Sequence, residues 1–354
     1  MPWEEGTFAV AMYDVWGLPF DLGGPRLGSR FGPDSVRMAG LHSGLSALGV
    51  PYRECGNVVA PVNLPFEHAD SLGWDEGGSR DTLFGFDAAV ATHGPIREAL
   101  RSTYAAGHRP LLIGGDHGLS MATVSTALEA TRGDMAVLWI DAHADMNNPA
   151  TSPSGRLHGM PLGALVKRPA GVEGPLATQW NQLLTETIGG VQVKPENIAW
   201  IGLRDVDAGE RDWIREHELG VDKPCYAASM YWIDRQGLTQ VVESFFEWLS
   251  RRRVSNLWIS FDVDVMDPVL APGTGTTVRG GMTYREAHLL AELLSERLNL
   301  FDRPRDTGKV KLAGIEVVEV NPLLDTNNAT ASMAVEWLSS LFGKRILVRA
   351  EGHR

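Results

Sequence analysis

Cysteine is almost absent from this chain: Cys55 and Cys225 are the only two in 354 residues, and no Cys-x-x-Cys spacing occurs. Two thiols cannot staple a domain of this length, so free thiols in a reducing compartment are expected. Basic residues are also in short supply, with 32 Lys and Arg against 44 Asp and Glu and a net charge of -12. That balance argues against nucleic acid or an acidic membrane surface as a partner. No apolar run approaches the ~20 residues of a membrane span. The first residues, Met1-Pro2-Trp3-Glu4-Glu5, carry acids where a signal peptide carries bases. A cytoplasmic protein is expected. With no repeat, no low-complexity tract and no linker that demands a boundary, residues 1–354 read as a single domain.

Hydrophobic residues make up 44% and charged residues 21%, close to the soluble globular average, and the length suffices for a sizeable core. Apolar or β-branched runs recur at Asn57–Val62, Pro110–Ile113, Met135–Ile140, Asn197–Ile201, Asn256–Phe261, Lys311–Val320 and Arg345–Val348. Helix-like stretches lie among them at Pro95–Tyr104, Leu119–Thr131, Gln240–Arg253 and Tyr284–Arg297, the last with Thr283 and Glu286 placed as a capping box. The segment Arg168–Pro195 reads as loop. Such alternation, with strongly apolar strands, predicts an α/β fold around a mostly parallel sheet covered on both faces.

Five strands run directly into polar clusters: Gly114-Gly-Asp-His117, Asp141-Ala-His-Ala-Asp145, Gly202-Leu-Arg-Asp-Val-Asp207, Asp262-Val-Asp264 and Glu319-Val-Asn-Pro322. Parallel sheets place their sites at the carboxyl edge of the strands, so these clusters converge there. Asp141, His143 and Asp145 alternate and can face one site, as can Asp262 and Asp264. Four carboxylates at a buried edge are costly unless neutralised. Two divalent cations bridged by carboxylates remove that cost. Oxygen and imidazole donors without sulfur suit Mn²⁺, and also Fe, Ni, Co or Zn.

Together, Gly114–His117, Asp141–Asp145 and Ser260-Phe-Asp-Val-Asp264 resemble the three signature motifs of the ureohydrolase (arginase and agmatinase) family, with similarity from about Val15 to Gly343. The resemblance implies a three-layer α/β/α fold with a central, mostly parallel eight-stranded sheet. It places one Mn²⁺ on His117, Asp141, Asp145 and Asp262, and a second on Asp141, His143, Asp262 and Asp264. A metal-bridging hydroxide would attack the guanidinium carbon of L-arginine to give urea and L-ornithine. Glu319 would hold the guanidinium, Asp145 would relay the proton, and His158, in Gly155-Arg-Leu-His-Gly159, matches the family's proton shuttle. Relatives in this family are trimers or hexamers, which implies a homotrimer or homohexamer.

The stretch Asn147–His158 resembles the arginase specificity loop, with Asn147, Ser152 and Ser154 where the α-carboxylate is held. Asp207 falls where the α-ammonium is held, and Asp205, Glu210 and Thr276 match further pocket positions. Three departures stand out. Gly118 replaces the family's usual Ser, and Arg156 replaces an Asn, putting a permanent cation beside the carboxylate site. The stretch Gly17-Leu-Pro-Phe-Asp21 through Arg26, Gly28, Arg30 and Gly32-Pro33 looks more like the agmatinase and guanidinobutyrase branch. The same chemistry on 4-guanidinobutyrate, 3-guanidinopropionate, agmatine or guanidine is therefore the alternative reading. Deacetylases share the fold but resemble a one-zinc site with an adjacent His-His pair, which this sequence lacks. A non-catalytic binding protein would be marked by lost ligands, and every ligand is present.

Overall fold

The computed structural model describes residues 10–59, 81–219, 224–303 and 306–347. Eight strands form one sheet: β1 (Tyr13–Leu18), β2 (Tyr52–Asn57), β3 (Arg109–Gly114), β4 (Met135–Ile140), β5 (Ile198–Leu203), β6 (Tyr226–Ser229), β7 (Asn256–Asp262) and β8 (Lys311–Val318). Their order is β2-β1-β3-β8-β7-β4-β5-β6, and every pair is parallel. The apolar runs of β3, β4, β5 and β7 are buried because helices cover both faces, leaving two hydrophobic clusters, one on each side of the sheet. No helix among the described residues is long and apolar enough to cross a membrane.

The expected strands at Pro110–Ile113, Met135–Ile140, Asn197–Ile201 and Asn256–Phe261 each match an observed strand to within two residues at either end. The capping box of Tyr284–Arg297 forms on both sides: Glu286 N–H donates to Thr283 Oγ1, and Thr283 N–H to Glu286 Oε2.

Elsewhere the structure departs from expectation. β1 carries a buried Asp14 that hydrophobic periodicity rejects; Arg53, Thr103 and His108 satisfy its carboxylate from three other segments. β2 is a polar edge strand at Tyr52–Asn57, not the apolar run expected at 57–62, of which residues 60–62 lie outside the described set. The run expected at Arg345–Val348 is not a strand over 345–347, and Val348 lies outside the described residues. The helix expected from Pro95 begins at Phe86 and passes through the proline, because its buried face (Ala89, Thr92, Ile96, Leu100) continues across that turn. Arg168–Pro195 contains helix Pro175–Gln182 and a wide π-type turn, Leu183–Ile188, anchored by buried Trp180, Leu183 and Ile188.

Candidate metal centre and substrate pocket

The polar clusters meet at the carboxyl edge of adjacent strands β3, β8, β7 and β4. Three of them end in the same local device, in which an aspartate caps the N–H two residues on. Asp116 Oδ1 accepts from Gly118 N–H at 2.9 Å, Asp141 Oδ1 from His143 N–H at 2.6 Å, and Asp262 Oδ1 from Asp264 N–H at 2.8 Å. Such turns stop each strand and fix the carboxylates. Two further residues are forced into the left-handed region, Asp145 at φ 51 and Glu319 at φ 64. Strain of this kind persists only where its surroundings hold it, typically at functional sites.

The donors converge at short range. His117 Nδ1 lies 3.1 Å from Asp141 Oδ2, 3.0 Å from Asp145 Oδ2 and 3.1 Å from Asp262 Oδ2. His143 Nδ1 lies 3.3 Å from Asp141 Oδ1 and 3.0 Å from Asp264 Oδ2. Two groups capable of holding a cation result, His117 with Asp141 and Asp145, and Asp141 with His143 and Asp264; Asp141 belongs to both. Buried His117 Nδ1 and Asp141 Oδ2 have no hydrogen-bond partner, a costly condition that an ion removes. Adjacent ligands on an octahedral divalent cation with bonds of about 2.1 Å lie about 3 Å apart, the spacing found here. His117 Nε2 lies 2.7 Å from Ser260 Oγ, which leaves Nδ1 free to ligate, and Trp139 stacks on the ring at 4.0 Å. The residues fit a pair of cations.

Electrostatics agree. Burial and neighbouring carboxylates push Asp145 up to about 6 and raise Asp262 and Asp264. Asp141, despite burial, is held below the usual carboxylate range by the two imidazoles it faces. Repulsion of this size is what positive ions relieve.

Above this floor opens a cavity of about 240 Å³. His117, His143, Asp145 and Asp262 face it, while Asp141 and Asp264 lie behind. The residues expected to meet the substrate tail line its walls: Asn147, Ser152, Ser154 and Arg156 on one loop, Asp205, Asp207 and Glu210 beyond β5, and Thr276 after β7; Glu319, expected to hold the guanidinium, is buried and does not line it. His158 lines the wall with its Nδ1 3.4 Å from Glu319 Oε1, which also accepts from His117 N–H at 2.9 Å. Burial disfavours the His158 cation, but Glu319, Asp145 and Asp116 outweigh it and raise its pKa. Asn147 Nδ2 donates to Asp207 Oδ2 at 2.8 Å, and Thr276 Oγ1 to Asp264 Oδ2 at 3.0 Å. Glu210 accepts from Met146 and Asp207 N–H, and burial together with the Asp145 charge pushes it up to about 8.

The match to known proteins covers the same residues. The family model for the arginase family matches residues 11–343. The arginase of Staphylococcus aureus (strain COL) is 35% identical over 335 residues, 94% of this chain and 98% of that protein. The chain belongs to the arginase family. The native arginase structure from Bacillus caldovelox superposes with a TM-score of 0.76 at 34% identity, covering 95% of this chain and all of that one. The structure of a hypothetical agmatinase from Burkholderia thailandensis, 21% identical with a TM-score of 0.63, shares the fold. Enzymes of the arginase family hydrolyse C–N bonds other than peptide bonds and use a binuclear metal centre.

Sequence reasoning left several contributors to the site without a role. Asp116 is buried and accepts from Gly23 and Gly24 N–H at 2.7 and 3.0 Å, holding an N-terminal loop against the floor. Burial, with Glu319 nearby, pushes it up to about 8. Arg204 donates to the carbonyls of Asp264, Val265, Met266 and Val278, tying together the segments that carry Asp264 and Thr276. Pro25 lines the cavity. The signals available were position inside a signature motif for Asp116, position inside the Gly202–Asp207 cluster for Arg204, and position within the stretch from Gly17 to Pro33 for Pro25. At Gly118 a Cβ would stand 2.9 Å from Asp116 Oδ1, so a side chain there requires that carboxylate to shift.

Proposed function

We propose that the chain hydrolyses the guanidinium group of L-arginine to urea and L-ornithine with two manganese ions at the strand ends. One observation carries this reading: the cation-binding floor opens into a small cavity whose walls hold carboxylates together with hydroxyl and amide groups. His117, Asp141, Asp145 and Asp262 would hold one ion, and Asp141, His143, Asp262 and Asp264 the other. When bound, the pair supplies the Lewis acidity that lets water act as a nucleophile near neutral pH.

The chain's own residues do the rest. Glu319, pinned by His117 N–H, accepts hydrogen bonds from the planar guanidinium and presents its carbon to the floor. Asp145 takes the proton from the attacking oxygen and returns it to the leaving amine. His158, on the wall beside Glu319, carries protons between site and solvent. Asp207 and Asp205 supply the negative charge that suits an α-ammonium, with Glu210 beside them, while Asn147, Ser152 and Ser154 would meet the α-carboxylate. Manganese suits this sulfur-free donor set, as nickel, cobalt or iron would. The same reading makes the chain one domain, working in the cytoplasm as a homotrimer or homohexamer, which sedimentation of the native protein tests.

Urea release from the manganese-loaded protein, with arginine, agmatine, 4-guanidinobutyrate, 3-guanidinopropionate and guanidine in parallel, is the deciding experiment. Dominant turnover of arginine is expected. Faster turnover of another guanidino compound moves the substrate assignment, and no urea from any of them removes the hydrolase reading.

A further inference from the structure

Three walls of the pocket come from loops that follow β4, β5 and β7. The fourth, Pro25, comes from the loop after β1, and its neighbours Gly23 and Gly24 are gripped through their main chain. Asp116 Oδ2 accepts from both N–H groups, at 2.7 and 3.0 Å. Gly23 O accepts from His158 N–H at 3.2 Å, and Gly24 O from Arg156 Nη1 at 2.6 Å. All four peptide groups are thus held by residues that flank the metal floor or belong to the specificity loop. A Cβ on Gly275 would lie 3.7 Å from Arg26 Cβ and 3.8 Å from the Pro25 ring, so this loop also abuts the segment carrying Thr276.

Arg156 occupies a slot shaped for a planar cation. The residue is 5% exposed, and its guanidinium sits 4.9 Å from the centre of the Phe84 ring. Phe84 is fixed by its own N–H donating to Gly155 O at 3.0 Å. A guanidinium can stack on an aromatic face and donate in its plane at the same time, which a lysine ammonium cannot reproduce.

We infer that Arg156 is a positioning residue for substrate selectivity: by clamping Gly24 against Phe84 it holds Pro25 as the wall that fits the arginine tail. This inference rests on the guanidino-hydrolase reading. One methylene is worth only about 10–200-fold in such a pocket, so a small retreat of Pro25 erases the preference. A direct carboxylate reader behaves differently, because its loss penalises carboxylate-bearing substrates and spares agmatine, which has none.

The test measures kcat and KM of the full-length, manganese-loaded wild type, Arg156→Lys and Phe84→Leu on arginine, homoarginine and agmatine. Homoarginine is one methylene longer. Both variants are expected to lower the preference for arginine over homoarginine about tenfold, chiefly through KM, with a smaller change against agmatine. Phe84→Leu keeps the charge and removes only the stacking face, so it reports on the clamp even where Arg156→Lys folds poorly. An unchanged homoarginine preference in Phe84→Leu overturns the inference, as does an Arg156→Lys effect confined to arginine against agmatine. Urea release from none of the three substrates by the wild type removes the hydrolase reading and this inference with it, whereas an active wild type with unmoved variants removes the inference alone.

Discussion

The floor of the cavity and its rim are built by different means. Every floor donor lies within a few residues of a strand end, on β3, β7 and β4, with Glu319 just beyond β8 between them in the sheet. Strands about 4.8 Å apart bring such residues together without a loop having to find its place. The rim is assembled from segments far apart in the chain: Pro25, the 147–158 loop, Asp205 to Glu210 and Thr276. These are joined by side-chain-to-backbone bonds, such as Arg156 to Gly24 O and Asp116 to Gly23 N–H. The proposed metal chemistry therefore rests on strand ends, and the proposed tail contacts on loops that can change without disturbing them.

The sharpest way to break this contrast is to remove the residue shared by both cation groups. Asp141→Ala should lower urea release by about 10³-fold or more, the several kcal/mol that Lewis acidity supplies. Bound metal per chain, measured by elemental analysis, should fall with it. Full metal content in that variant would mean that the floor does not depend on its central carboxylate.

On the rim, His158→Ala should reduce kcat about 10²-fold near neutral pH while metal content stays at the wild-type level. A fall in bound metal would erase the division between floor and rim.

Behind the floor, the imidazole of His93 stands by the Phe20 ring with its Nδ1 3.1 Å from Thr187 Oγ1. Burial drops its pKa from 6.5 to about 4. The unfolded chain binds this proton before the folded one does, so the stabilisation is complete above the ordinary histidine pKa and is lost as pH falls toward about 4. It amounts to about 3 kcal/mol. Thermal midpoints of His93→Gln should accordingly fall less than those of the wild type between neutral pH and about pH 4.5. Parallel curves would show that the backing of the floor does not sense acid.

The mildest change is Ser260→Ala, which removes the partner of His117 Nε2 and leaves every proposed ligand in place. Manganese affinity by titration should weaken about tenfold. An unchanged affinity would show that Trp139 stacking alone orients the ring.

Most of the floor was legible beforehand because its pattern is local. An apolar strand ending in alternating acids and histidines can be recognised without knowing what lies beside it, as with Met135–Ile140 running into Asp141, His143 and Asp145. β1 was not legible, since Asp14 looks incompatible with a buried strand until Arg53, Thr103 and His108 are in place around it. The same holds for β2, whose polar residues suit an edge that sequence periodicity cannot identify.

The sequence by itself determined the parallel α/β architecture, the strand ends that carry the donors and the mixed oxygen and imidazole character of the site, because periodicity and residue chemistry act over a few neighbouring positions. Tertiary structure alone decided that Asp141 faces both imidazoles, that Asp116 and Arg156 pin Gly23 and Gly24 beneath Pro25, and that Arg204 joins the segments bearing Asp264 and Thr276. Apart from Asp141 with its near neighbour His143, those contacts pair groups tens to hundreds of residues apart, and their directions exist only once the strands have been ordered side by side.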